Sequence, residues 1–189
     1  VADLDPDRLG SWGADRIVAL TGVTVEDDVA RSLADWVAEV QPWAVLAPST
    51  TWGREIAGRV AAAVGAGLTG DAVDLEVVDG RLVAWKAAFG GQLVAAIHCV
   101  SPVQMATVRV GVLPTRTPRT AFAVSVEERP GTARSRVEVA DRVRDDDLDV
   151  LAEAAVVIGV GRGVDPADYP ALEELRVQLG AEWAATRKV

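Results

Sequence analysis

Along residues 16–64 the apolar positions alternate between short continuous runs and a spacing of three and four, which lays out a strand-helix-strand-helix order. Residues 16–20 read as a short buried strand. Thr24 is then a candidate N-cap, with Glu26, Asp27 and Asp28 in the first helical turn, where carboxylates complement the helix dipole. Val29, Leu33, Trp36, Val37 and Val40 make one apolar face of that helix. Pro42 ends it and residues 43–47 read as the next strand, so the order predicts parallel pairing of the two strands through a right-handed crossover.

The run Pro48-Ser49-Thr50-Thr51 turns the chain into a second helix, whose buried face includes Ile56, Val60 and Val64 and whose alanines allow close packing. Gly65 and Gly67 stop it. Residues 74–78, Asp79-Gly80 and 81–86 form a hairpin signal, because Asp-Gly accepts the positive φ angles of a type I′ turn. Further strands are expected at 94–100 and 107–113, which makes the sheet mixed: mainly parallel, with an antiparallel hairpin extension. After a polar connection at 114–119, edge strands are expected at 121–126 and 134–139, flanking Arg129-Pro130-Gly131, and a short helix at 148–154. A boundary follows, giving expected domains of 1–150 and 151–189. The second holds a strand at 156–160, the loop Gly161-Arg162-Gly163 and a helix at 166–179, too little to stand alone.

Half of the 189 residues are apolar, enough for a substantial core. The formal charge of -9, without a basic block, argues against nucleic-acid or anionic-membrane binding. Cys99 is the single cysteine, which excludes an intramolecular disulfide framework. No apolar stretch approaches the roughly 18 residues of a membrane span and the chain opens without the basic start of a secretory signal, so no membrane insertion and a cytoplasmic setting are expected. The first residue, Val1, is not Met and points to a start other than the native one. Asp145-Asp146-Asp147 reads as a solvated loop or helix start, and no metal is assigned to it. His98 and Cys99 adjoin on a strand and point to opposite faces, which argues against a shared site. With one histidine no Ser-His-Asp or Cys-His arrangement assembles. The tryptophans, at 12, 36, 43, 52, 85 and 183, are scattered and read as packing or interface residues.

Four segments occur in an order that resembles one family. They are Thr51-Trp52-Gly53-Arg54-Glu55-Ile56-Ala57, a glycine pair before a strand at Gly90-Gly91, the run Gln104-Met105-Ala106-Thr107-Val108-Arg109 leading into a second strand, and Gly159-Val160-Gly161-Arg162-Gly163. Together they resemble the alpha subunit, FixB type, of electron-transfer flavoproteins. The resemblance implies a three-layer α/β fold of the Rossmann-like, adenine-nucleotide-hydrolase-like kind. It implies an electron carrier, not an enzyme, which takes electrons from flavin dehydrogenases through FAD as a heterodimer with a beta subunit. It also implies a truncated chain, since the family's opening strand and helix are missing and the sequence stops at Ala184-Ala185-Thr186-Arg187, before the Gln-Val-Gly-Gln-Thr-Gly loop of the flavin half. FAD is therefore not expected to be retained by this chain alone.

Site residues follow from the same resemblance. Gly161, Arg162 and Gly163 correspond to the loop that opens the flavin domain, where the arginine lies close to the isoalloxazine. From the residues alone that loop is a tight turn or an incomplete dinucleotide loop, since the full Gly-x-Gly-x-x-Gly spacing is absent. Thr186-Arg187 matches a Ser-Arg pair that contacts the flavin nucleotide. Ser49-Thr50-Thr51 suits either helix capping, the preferred reading, or phosphate binding. No AMP is assigned, because the family's structural AMP belongs to the beta subunit. Arg109 reads as a buried ion partner at a domain or subunit contact, and the hairpin face carrying Val83 and Trp85 as a surface for the partner subunit. The alternative to the carrier is a stand-alone nucleotide-binding or regulatory α/β domain. An adenine-nucleotide hydrolase would need a phosphate loop richer in Gly and Ser than residues 48–53 provide.

Overall fold

The computed structural model describes residues 5–114, 117–118, 124–141, 150–151 and 154–185. Two compact units divide the chain, Val1–Val139 and Ala140–Val189.

The first unit opens with α1 (Pro6–Ser11), capped by the Asp5 carboxylate, which accepts the Arg8 amide at 3.0 Å. Strand β1 (Ile17–Thr21) leads into α2 (Glu26–Val40). The N-cap position of α2 is Val25, not Thr24, and no side chain caps it. The helix instead starts on three consecutive acids, Glu26, Asp27 and Asp28, whose charge favours the positive end of the helix dipole. Its inner face is Val29, Ala30, Ala34 and Val37, with Leu33 and Trp36 partly buried, while Val40 is exposed.

Strand β2 (Ala44–Pro48) is followed by α3 (Thr51–Val64), capped by Thr50, whose hydroxyl accepts the Gly53 amide at 3.0 Å. Gly53 cannot be another residue without movement: a Cβ there would stand 2.1 Å from the Pro48 carbonyl oxygen. The first turn of α3 is thus pressed against the end of β2. Ile56, Ala57, Val60 and Ala61 of α3 meet the alanine-rich face of α2, and Met105 and Val103 close this core from below. Burial of a valine contributes about 1.5–3 kcal/mol, and Val37 and Val60 are both 2% exposed.

Strand β3 (Gly67–Ala72) follows Gly65, which ends α3 in the left-handed region. The sequence pattern missed β3 because Gly67, Gly70 and Asp71 interrupt its apolar run. Strands β4 (Asp74–Val78) and β5 (Arg81–Ala88) form the expected hairpin, with φ of 50° at Asp79 and 74° at Gly80. Strand β6 (Leu93–His98) adds to β5, and β7 (Gln104–Val108) and β8 (Val126–Pro130) complete the unit.

Parallel and antiparallel pairing are both present, divided among separate ladders. The order β2-β7-β3 is parallel and β4-β5-β6 antiparallel. Alternation along β7 couples three layers: Met105 joins the helix-side core, while Ala106 packs with Leu82 and Ala84 of the antiparallel sheet. The buried Gln104 side chain accepts the Leu82 amide at 2.9 Å, and the Trp43 indole donates to the Gly80 carbonyl at 3.0 Å. The hairpin tip is therefore tied back to the start of β2 instead of projecting freely.

Three sequence expectations change. Strand β1 pairs in parallel with β8, over 100 residues away, and not with β2; the ladder is extended at both ends by Ile17 N to Ser125 O and Gly131 N to Thr21 O. The strand expected at 107–113 runs instead from Gln104 to Val108, and its last bond to β3 is the Arg109 amide donating to Ala72 O. No strand forms at 134–139. The amides of Thr132, Arg134 and Ser135 are taken by side chains of α2, Ser32 Oγ and Asp28 Oδ1, so residues 131–135 lie as a strap on that helix. Residues 121–123 of the other expected edge strand, most of the 148–154 helix, and Asp145-Asp146-Asp147 lie outside the described residues.

The second unit consists of β9 (Val157–Val160), a single 3-10 turn (Pro166–Asp168), α4 (Tyr169–Leu179) and β10 (Glu182–Ala185). Strands β9 and β10 are parallel neighbours. The helix expected from Pro166 is thus split: Asp165 caps the 3-10 turn by accepting the Ala167 amide, and Pro170 sits in the first turn of α4, where its missing amide costs nothing. Val160 and Ala181 are its buried apolar residues among those described, and Leu175, Val177 and Leu179 are exposed.

Candidate functional site

In the second unit the loop Gly161-Arg162-Gly163 begins at the carboxyl end of β9, where open parallel sheets place ligands. Val164 N donates to Gly161 O at 3.1 Å, which closes the turn. Arg162 is exposed, and a Cβ built at Gly159, Gly161 or Gly163 meets no atom within 4 Å. The space around this loop is open to a ligand group. Beside it lies an apolar groove of about 560 Å³, lined by Val160, Pro166, Tyr169, Pro170, Trp183 and Ala184 among others. One wall is braced by charge: Glu173 accepts from the Arg176 guanidinium and from the Trp183 indole at 3.0 Å. Arg176 first, then Trp183, holds the Glu173 carboxyl below its usual range. Thr186 and Arg187 lie outside the described residues.

The first unit has a second cluster, at the carboxyl ends of β2, β7 and β3. Ser49 Oγ donates to Asp71 Oδ1 at 3.0 Å, Arg109 Nε donates to the same oxygen at 3.2 Å, and Arg109 Nη2 donates to Asp71 Oδ2. The Asp71 amide donates to the buried Thr107 hydroxyl at 2.8 Å. Arg109, then Ser49, lowers the Asp71 carboxyl to about 2, and Asp71 raises Arg109 in turn. Arg109 is therefore an ion partner as expected, but within the chain and with its side chain 46% exposed. Thr50 is the N-cap of α3, the capping role preferred for the Ser49-Thr50-Thr51 turn. His98 is exposed on β6, whereas the Cys99 thiol sits near the Thr69 hydroxyl at 3.9 Å, so the two form no site. Among the described residues no group of three or more His, Cys, Asp or Glu could hold a metal, and no helix is long and apolar enough to cross a membrane.

Comparison with known families decides the kinship of this architecture. Residues 4–134 match the model of the electron transfer flavoprotein domain. The chain belongs to the electron transfer flavoprotein family. It is 33% identical over 192 residues to the electron transfer flavoprotein subunit alpha of Clostridium acetobutylicum, an alignment covering 94% of this chain and 57% of that protein. It is 32% identical to Protein FixB of Bradyrhizobium diazoefficiens, covering 93% and 51%. With the electron transfer flavoprotein subunit alpha of Mycobacterium leprae it is 34% identical, covering 87% and 51%. The chain spans about half the length of these relatives.

The glycine-arginine loop lies between a strand and a helix, the place in the fold its sequence suggested. The Ser49–Asp71–Arg109 cluster was not legible in this way, since its members are 22 and 38 residues apart and meet only once β2, β3 and β7 are aligned. The one local sign was Gly70-Asp71 inside an otherwise apolar segment.

Proposed function

We propose that this chain is the alpha-type part of a heterodimeric electron carrier that takes electrons from flavin dehydrogenases and passes them on through FAD, in the cytoplasm. The observation that carries the reading is the family match combined with an open glycine-arginine loop at the carboxyl end of a parallel strand, next to an apolar groove. Gly161 and Gly163 would allow close approach of the cofactor, and Arg162 would lie beside its ring; Thr186 and Arg187 would contact its nucleotide part. FAD supplies the redox chemistry when bound, and a guanidinium nearby tunes it by favouring the more negative state. The loop makes one edge of a site, whereas a pocket for so large a ligand buries most of its surface. The relatives' remaining length would supply the rest.

The partner in this reading is a beta-type subunit, and the antiparallel sheet β4-β5-β6 is the surface it would use. Val83 and Trp85 share its outer face, opposite Leu82 and Ala84, and Val94 is exposed. The test is co-expression of the protein at its relatives' full length with a beta-type subunit: a co-purifying yellow heterodimer reducible by a flavin dehydrogenase is expected. A colourless protein with no affinity for the subunit would refute the carrier.

A further inference from the structure

The cluster at the strand ends belongs to the first unit, and its geometry points to a conclusion of its own. The carboxyl ends of parallel strands are where α/β sheets bind anionic ligands, and the groups expected of such a site are present: an arginine fork, a serine hydroxyl and the start of α3. The Arg109 fork, the Ser49 hydroxyl and the Gly53 amide are already engaged within the chain. Both oxygens of Asp71 accept from Arg109, the Ser49 hydroxyl donates to Asp71, and the Thr50 hydroxyl accepts from Gly53. A guanidinium that grips a carboxylate with two nitrogens uses the same fork it would offer to a phosphate.

The backbone is shaped to deliver that carboxylate. Strand β3 pairs regularly with β7 from Gly67↔Gln104 to Thr69↔Ala106, then shifts so that Ala72 meets Val108. Residues 70 and 71 thus stand against Thr107 alone, a bulge of the kind that redirects a side chain. Asp71 takes φ of 60°, in the left-handed region, and its amide is held by Thr107 Oγ1. Thr107 is 1% exposed, so the bulge rests on a fixed anchor.

We infer that Asp71 is a built-in anion: its carboxylate occupies the Arg109 fork and the Ser49 hydroxyl at the ends of β2, β7 and β3, so that neither is offered to free phosphate in the native chain. Removal of the carboxylate releases both donors. The inference goes beyond the carrier reading and stands or falls separately, because it concerns the first unit and needs no flavin.

The test uses inorganic phosphate and AMP as probes, on the native protein, Asp71→Gly and Asp71→Asn. Glycine suits the left-handed backbone at this position, and asparagine preserves the shape while removing the charge. Binding is followed by titration calorimetry and by the NMR signal of the Arg109 Nε proton. Native protein should show no saturable response, and Asp71→Gly should bind phosphate at least about tenfold more tightly, since a charge-assisted fork is released. Arg109→Gln added to Asp71→Gly should abolish the gain. If Asp71→Gly does not fold, Asp71→Asn carries the test through the Arg109 signal, which should move with phosphate in the variant and stay fixed in the native protein. Native protein that binds phosphate as well as the variants, or folded variants that bind none, would overturn the proposal.

Discussion

Removing the Asp28 carboxylate should release the strap at residues 131–135 from α2. Asp28 is 4% exposed, and its Oδ1 accepts the amides of Arg134 at 2.8 Å and Ser135 at 2.7 Å. A hydrogen bond to a charged group contributes about 1.5–3 kcal/mol. Two of them, at the low end, set the loss in Asp28→Ala at about 3 kcal/mol if the strap stays in place with its amides unpaired. If it peels into water, the global loss is smaller and appears instead as local opening. Asp28→Asn separates charge from geometry, because an amide oxygen at the same place can still accept both protons; about 1 kcal/mol is expected for the lost charge. Urea unfolding gives the global value and hydrogen exchange at Arg134 and Ser135 the local one. The order should be native, then Asp28→Asn, then Asp28→Ala in both. An alanine variant with native midpoint and native exchange at both amides would refute the reasoning, since the strap would then be held by Ser32, by the 3.8 Å Arg134–Asp35 pair or by packing alone.

Gly53→Ala places a methyl group 2.1 Å from the Pro48 carbonyl and should destabilise the first unit by about 1–3 kcal/mol, the cost of overpacking, read by thermal or urea unfolding. Asp71→Asn gives a pH test: a carboxyl lowered to about 2 from 3.8 stabilises the fold fully above its unfolded value, and the benefit is lost as pH falls toward 2. With Asp71 32% exposed, the gap between native and variant should be about 1 kcal/mol at neutral pH and vanish near pH 2; a constant gap removes the ion pair from the account. Trp85→Asp should weaken co-purification with a beta-type subunit while circular dichroism stays native, and unchanged association would take β4-β5-β6 out of the interface. In the full-length flavoprotein, Arg162→Ala should lower the flavin reduction potential by on the order of 50 mV at matched FAD content, and an unaltered potential would leave Arg162 a turn residue.

What the sequence disclosed was local. The period of α2 and α3, the Asp79-Gly80 turn and hydroxyl capping within Ser49-Thr50-Thr51 follow from contacts within a few residues, and they are found in place except that Val40 of the α2 face is exposed. Pairing partners are another matter. Nothing in residues 16–20 says that β1 will choose β8, because any apolar run offers the same backbone donors and acceptors. Residues 134–139 look like an edge strand by alternation, yet a buried carboxylate over 100 residues away in sequence, Asp28, captures the amides of Arg134 and Ser135. The glycine-arginine loop was visible because a strand-loop-helix order is itself a pattern. Asp71 was not, since its meaning depends on a bulge that appears only in the register of β3 against β7.

That bulge has a genetic corollary. Because Ala72 meets Val108 beyond the irregularity, deleting a single codon at position 70 or 71 would restore an even ladder without disturbing the pairing of the hairpin that follows. A deletion at position 71, with no substitution in Ser49, Thr107 or Arg109, would therefore take away the carboxylate that Ser49 and Arg109 share, whereas a deletion at position 70 would keep it in the chain.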